Sequence, residues 1–499
     1  MTSPPGSSSP EVHKGWTLLA VCLGTFMLLL DVTIVIVALP DIRTALGGSF
    51  SDVQWTIDAY SLSLAALLLP TGSLADLYGR RRLFAIGLAI FTTGSLLCGL
   101  AQSPLMLTLC RAGQGVGGAA MFATSLALLA QTFQGRERGP AFGIWGAVAG
   151  VSTALGPVLG GLIVSGLGWR WIFLVNLPVG IFAIAITLTR VQEWRPPVAR
   201  RVDVPGFLVF TAGLVSLVYA LIRASEDGWG DSVVVACFVA AGVLLASFPF
   251  VERMRREPMF DLSLFRKPTF VGGSIAAVGM NGSLFAMFVY LVLYLQDVQH
   301  YSALQSGLRL LVVTGATLIT AIPAGRLSAR MPVRWLIGPG LLMVGVGLLS
   351  MRGLDASSEW THLIPGFVLA GLGTGLVNPP LASTAIGVVA PPSAGMASGI
   401  NTTFRQVGIA TSVAALGSIF ATKMSRATPV TYVAHYTAAL NELLLITALV
   451  ALVSGALALV LIRQRDFVGH EAEEEAGGVD GAAGASAPES ATALAGAGR

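Results

Sequence analysis

Residues 72–84, GSLADLYGRRRLF, place one aspartate and three arginines between two long apolar runs. A single charge at the centre of a membrane helix costs about 2.5–3.5 kcal/mol on insertion scales. A stretch this charged therefore marks a membrane surface. A weaker copy, GRLSARMPVR at 325–334, lies about 250 residues further on, again basic and again between apolar runs. One basic loop written twice is the mark of a duplicated chain.

Composition agrees with a membrane setting. Of 499 residues, 54% are hydrophobic and 11% charged, and the mean hydropathy is +0.76. Soluble domains carry about a quarter charged residues. Runs near the roughly 20 residues needed to cross about 30 Å of hydrocarbon as helix lie at 15–39, 55–75, 83–101, 104–130, 141–166, 171–189, 205–222, 232–250, 269–296, 305–325, 335–351, 363–389, 397–421 and 437–462. The pattern predicts an all-α polytopic protein with fourteen spans. With the amino terminus inside, 20 Lys/Arg fall on the inner side and six on the outer. That excess predicts that both termini are cytoplasmic, in a multi-pass protein of the plasma membrane. The formal +4 is then a topology signal and carries no inference of nucleic-acid binding. Segment 15–39 is too long for a cleaved signal peptide, whose apolar core is about 7–15 residues.

Six predicted helices occupy 15–190, six occupy 269–463, and two polar-poor runs at 205–250 read as an inserted hairpin. The basic, proline-bearing stretch 251–268 is a cytoplasmic linker. Segments 1–14 and 464–499 read as disordered cytoplasmic tails, since they lack apolar periodicity. Two related halves of this kind place a site near the midplane at their shared interface and suit alternating access. Cys22, Cys98, Cys110 and Cys237 lie in predicted helices without metal-ligand spacing, so no metal site is expected and buried thiols are.

Several motifs then coincide. Gly72, Leu74, Asp76, Gly79, Arg80 and Arg81 resemble the signature loop of the major facilitator superfamily, with Leu77 where a basic residue is usual. LDVTIVIVALPDI at 30–42 resembles the first-helix motif of its fourteen-segment drug/proton antiporter branch, with Ile36 in place of an asparagine. Arg111, Gln114 and Gly115 match that superfamily's Arg-x-x-Gln-Gly pattern. Gly143, Ser152, Gly156, Pro157, Gly160 and Gly161 resemble the antiporter motif of the fifth helix, with Ser152 replacing a glycine. GWRWIFLVNLPVG at 168–180 and PMFDLSLFR before the ninth helix are similar to other stretches of that branch.

The residues carry chemical expectations of their own. Asp31 sits about two thirds of the way across the first helix, where hydrocarbon disfavours a charged carboxylate. It is a candidate proton carrier. Arg111, intramembrane and permanently charged, needs a carboxylate or backbone carbonyls, and the resemblance implies a role in proton coupling. Asp76, Gly79, Arg80 and Arg81 are candidates for gating, with Asp76 as a latch; orientation of the chain is the simpler reading of the arginines. Gly156, Pro157, Gly160 and Gly161 let the fifth helix approach its neighbours and bend. Thr33, Gln114, Tyr290, Asn378, Asn401 and Arg405 are candidates for the substrate cavity. Asp58, Asp297 and Glu442 lie near predicted outer ends, where solvation would explain them. The GxGxxG at Gly113, Gly115 and Gly118 follows no strand, so helix packing explains it better than dinucleotide binding.

The expected function is export of a lipophilic small molecule driven by the proton gradient, with protons and membrane lipid as the other partners and no cofactor. Uptake or exchange of a metabolite is the alternative within transport, and a membrane enzyme or receptor the alternative outside it. No nucleophile–base motif supports an enzyme. Lys14, Lys267 and Lys423 are followed by Gly, Pro and Met, so no Walker A Lys-Ser/Thr is present and ATP drive is excluded.

Overall fold

The structure, a computed structural model, describes residues 14–133, 137–193, 203–224, 227–255, 258, 261–328, 330–389 and 394–467. These residues form helices and connecting turns. In order they are α1 (Lys14–Leu46), α2 (Phe50–Tyr78), α3 (Arg80–Gly99), α4 (Pro104–Thr132), α5 (Arg138–Leu167), α6 (Trp171–Leu174), α7 (Asn176–Arg190), α8 (Val204–Arg223) and α9 (Ser232–Arg253). After them come α10 (Pro268–Met280), α11 (Ala286–Leu293), α12 (Ala303–Leu327), α13 (Arg334–Ser350), α14 (Ile364–Gly387), α15 (Ala394–Met424) and α16 (Tyr432–Leu461).

Each apolar run of the sequence is helical. Among the described residues, however, eleven helices are long and apolar enough to cross a membrane, or twelve if the bent pair in α5 counts as one. The expected fourteen spans are not reached by that measure. Three fall short: α2, which is not among the eleven, α13, which has only 17 residues, and α5, which bends by 44° between Ser152 and Leu155, just before Pro157, whose ring removes a backbone donor.

Local chemistry explains where the helices start and break. Ser49 caps α2 by accepting from the Asp52 backbone N–H at 3.2 Å, while Asp52 accepts from the Ser49 N–H at 2.7 Å. Ser302 and Gln305 repeat that reciprocal box at the start of α12, at 3.2 and 3.1 Å. The two helices that end in the repeated loops therefore also begin alike. Between α10 and α11, residues Asn281–Phe285 wind as π-helix, and Tyr294–Val298 do so again after α11. The sequence read this stretch as one regular run; the wider turns are those often found at functional sites.

Helices α1–α7 pack among themselves, as do α10–α16, and α8 packs on α9. The two large groups meet along α2 against α15 and α5 against α12. Polar contacts join the groups at the bundle end bearing residues 47–49 and 298–302. There Arg43 Nη2 pairs with Asp297 Oδ2 at 2.9 Å, Gln296 Nε2 donates to the Val37 carbonyl at 2.9 Å, and the Leu304 N–H donates to Ser165 Oγ at 3.1 Å. An aromatic cluster of Phe50, Tyr290, Phe420 and Tyr436 fills the same end, with ring centroids 4.9–5.6 Å apart around Phe420. Along α5 and α12 the packing loosens away from that end, where a Cβ at Gly150 would meet only Leu318, at 4.0 Å, whereas α2 and α15 stay in contact, a Cβ at Gly399 falling 2.8 Å from Leu69.

Candidate functional site

Asp31 on α1 and Arg111 on α4 are 0% and 2% exposed, and Arg111 Nη1 donates to Asp31 Oδ2 at 2.5 Å. Close helix approach makes this possible. A Cβ at Gly115 would fall 2.5 Å from the Tyr60 carbonyl, so α4 lies directly against α2. The pair has further hydrogen bonds. Arg111 also donates from Nη1 to Gln114 Oε1 at 2.7 Å and from Nε to the Thr56 carbonyl at 3.1 Å. Gln114 Nε2 donates to Asp31 Oδ1 at 2.9 Å and to Ser95 Oγ at 2.7 Å. The Arg111 guanidinium stands 4.3 Å from the centroid of the Tyr60 ring, a cation–π contact. Removing one partner of such a buried pair leaves an uncompensated charge, at a typical cost of about 3–5 kcal/mol.

Residues outside the sequence-based candidates complete this cluster. Asn176, placed by the break between α6 and α7, donates to Ser95 Oγ at 3.2 Å and reaches Asp31 Oδ1 at 3.5 Å. Its place in the segment 168–180 was the available signal. Ser95 carried none, because a lone polar residue in an apolar helix reads as packing, and Tyr60 reads in the sequence as an aromatic that packs, or stacks on a flat ligand. Tyr60 and Arg111 also line a cavity between the two helix groups, with Val32, Phe285, Val289 and Ile409.

Thr33, proposed for the cavity, is instead committed to the helix contact beside Asp31. Its hydroxyl donates to the Leu29 or Leu30 carbonyl, each at 3.2 Å. A Cβ at Gly156 would fall 1.8 Å from its Oγ1, and one at Gly160 would sit 2.9 Å from the Ile34 carbonyl. On the same helix, Gly161 abuts Ala303 and Leu304, while Pro157 abuts Gly307 of α12. The small residues of α5 thus touch α1 next to Asp31 and, across the groups, α12.

Around the signature loop, Gly79 adopts φ +106°, and a Cβ there would strike the Glu193 carboxylate at 2.5 Å. Glu193 accepts from the backbone N–H groups of Arg81 and Arg82, both at 3.1 Å, and so covers the start of α3. Arg80 Nη1 donates to the Ala127 carbonyl at 3.2 Å, and Arg81 Nε to the Thr187 carbonyl at 3.1 Å. Every one of these partners lies in α4 or at the end of α7, within the first group. Glu193 was missed because it stands more than a hundred residues away in sequence. The Asp76 side chain, the expected latch, lies outside the described residues, as does Ala329 in the second copy of the loop.

In the second group, Asn378, Asn401 and Arg405 come together. Arg405 Nη1 donates to Asn378 Oδ1 at 3.1 Å and its Nε to Asn401 Oδ1 at 3.2 Å. Arg405 and Asn378 are partly exposed and Asn401 is buried. Tyr290, also proposed for the cavity, belongs to the aromatic end cluster: it is 0% exposed and its hydroxyl donates to the Val413 carbonyl at 2.9 Å. Asp297 and Glu442 are ion-paired, with Arg43 at 2.9 Å and Lys423 at 2.5 Å. Asp58 corrects the expectation of a solvated end residue. It is 0% exposed, and neither carboxylate oxygen has a hydrogen-bond partner among the described residues.

Comparison with known proteins places this geometry in a family. The chain is 38% identical over 410 residues to Multidrug resistance protein Stp of Mycobacterium tuberculosis, covering 82% of this chain and 76% of that one. It is 37% identical to Puromycin resistance protein pur8 of Streptomyces alboniger, covering 82% of each. Its fold is similar to the crystal structure of a bacterial homologue of the human lysosomal transporter Spinster, with a TM-score of 0.64 at 17% identity over 92% of this chain and 99% of that one. With the Major Facilitator Superfamily model matching residues 21–413 and 316–490, the chain belongs to that superfamily, and is a membrane transporter rather than an enzyme.

Proposed function

We propose that this transporter exports lipophilic small molecules across the plasma membrane in exchange for protons, by alternating access. The observation that carries the reading is the buried Asp31–Arg111 pair beside a cavity shared by both helix groups. A proton on Asp31 would cancel the charge that compensates Arg111, and the guanidinium must then move or find another acceptor. Protonation thereby acquires a mechanical consequence. The contact of Gly156 with Thr33, two residues from Asp31, gives that movement a route to α5 and on to α12.

The ion pair Arg43–Asp297 at one end and the looser α5–α12 seam around Gly150 and Leu318 support entry to the cavity from the side of the Arg80–Arg82 loop. The arginine excess assigns that side to the cytoplasm. Counting α6 with α7 and α10 with α11, the helices then cross fourteen times: two six-helix halves, with α8–α9 as an inserted hairpin and both termini cytoplasmic. The proton gradient supplies the drive, without a cofactor. The relatives named for multidrug and puromycin resistance support export over uptake.

Everted vesicles loaded with protons test this directly, with ethidium and puromycin as probes. Probe addition is expected to release protons in the direction opposite to probe movement in wild type, and Asp31→Asn is expected to abolish both fluxes. Proton movement in the same direction as the probe would refute antiport.

A further inference from the structure

The two buried arginines differ in what compensates them. Arg111 has a carboxylate; Arg405 has two neutral amide oxygens, and no carboxylate lies within ion-pairing distance of it among the described residues. A guanidinium is permanently charged and strongly disfavoured inside the bilayer without a counter-charge. Asn378 and Asn401 hold Arg405 in one orientation while engaging two of its five N–H donors, at Nη1 and Nε. Its Nη2 makes no hydrogen bond among the described residues, and the side chain is partly exposed rather than sealed. This is a fixed cation with donors to spare, lacking the anion that would complete it.

We propose that Arg405, one helical turn along α15 from the cavity-lining Ile409, is an anion-recognising group of the transport path and that the preferred cargo is a lipophilic acid, bound through a planar carboxylate to the free Nη1 and Nη2 donors. The proposal rests on the export reading above and narrows it to a substrate class. A carboxylate would replace neutral acceptors with a charge-assisted, two-point contact. A neutral amide of the same shape would lose the ionic part. Antiport of an anion against a proton would also move two positive charges inward per cycle, against one for a neutral cargo.

The test uses purified full-length protein and the probe pair anthracene-9-carboxylate and anthracene-9-carboxamide. Affinities are measured for wild type, Arg405→Gln and Arg405→Lys, with thermal unfolding confirming that each variant is folded. Wild type is expected to favour the acid by roughly 10- to 100-fold, the scale of a hydrogen-bonded charge contact. The ratio is expected to collapse to about one in Arg405→Gln and to recover in part in Arg405→Lys, which keeps the charge but not the planar fork. A ratio near one in wild type, or an equal loss of both probes in Arg405→Gln, overturns the proposal while proton-coupled ethidium export in vesicles still stands. Loss of that export reading, with no binding of either probe, overturns both.

Discussion

Arg111 and Arg405 are both arginines of the helical core, both held by side chains on their own group of helices, yet their surroundings teach opposite lessons. Around Arg111 every strong acceptor is supplied by the protein: a carboxylate, an amide and a backbone carbonyl enclose a side chain that is 2% exposed. Such a cluster is balanced in charge, and something must change that charge before it can move. Around Arg405 the protein supplies two amide oxygens and leaves the rest open. A balanced cluster suits a proton switch, and an unbalanced one suits a ligand. Arg111 stands in the fourth helix of the first half and Arg405 in the fifth of the second, so the two arginines occupy different places in the two halves and differ in what stands beside them.

The largest expected effect tests that division through stability. Arg111→Met leaves Asp31 buried without its cation and is expected to cost about 3–5 kcal/mol. Arg405→Met leaves only amides with partial exposure and is expected to cost about 1 kcal/mol, the scale of ordinary hydrogen bonds. Thermal unfolding of both proteins in detergent compares them, and equal losses would dissolve the distinction. The double variant Asp31→Leu/Arg111→Met is expected to recover most of the first loss, because no lone charge remains.

A middle-sized effect comes from making the second cluster resemble the first. Asn378→Asp would place a carboxylate 3.1 Å from Arg405, where the amide oxygen now stands. An internal anion competes with an external one, so the preference for anthracene-9-carboxylate over its carboxamide is expected to fall about tenfold. An unchanged preference in a folded variant would separate Arg405 from anion selection.

The smallest effect concerns the other buried carboxylate. Asp58 has no ion pair and no hydrogen-bond partner among the described residues, so Asp58→Asn removes no favourable contact. Its unfolding free energy is expected to stay within about 0.5 kcal/mol of wild type, or to rise. A loss comparable to that of Arg111→Met would mean that Asp58, too, belongs to a charge-compensated cluster, and the contrast between Asp31 and Asp58 would fail.

Much of this was legible in residue order. The apolar runs and the basic loops 72–84 and 325–334 determined a duplicated helical membrane protein, because hydrocarbon length and loop charge act locally along the chain. The cost of an intramembrane charge was enough to single out Asp31, Arg111 and Arg405. Tertiary structure alone decided what those charges face. It paired Asp31 with Arg111 across eighty positions, brought in Ser95 and Asn176, set Glu193 over the start of α3, and buried Asp58 where its sequence position promised water. It also moved Thr33 and Tyr290 from the expected cavity into helix contacts. The physical reason is one of range: the penalty for a buried charge is a property of the residue and its segment, whereas its compensation depends on which helices pack together and on the angle at which each presents its side chains.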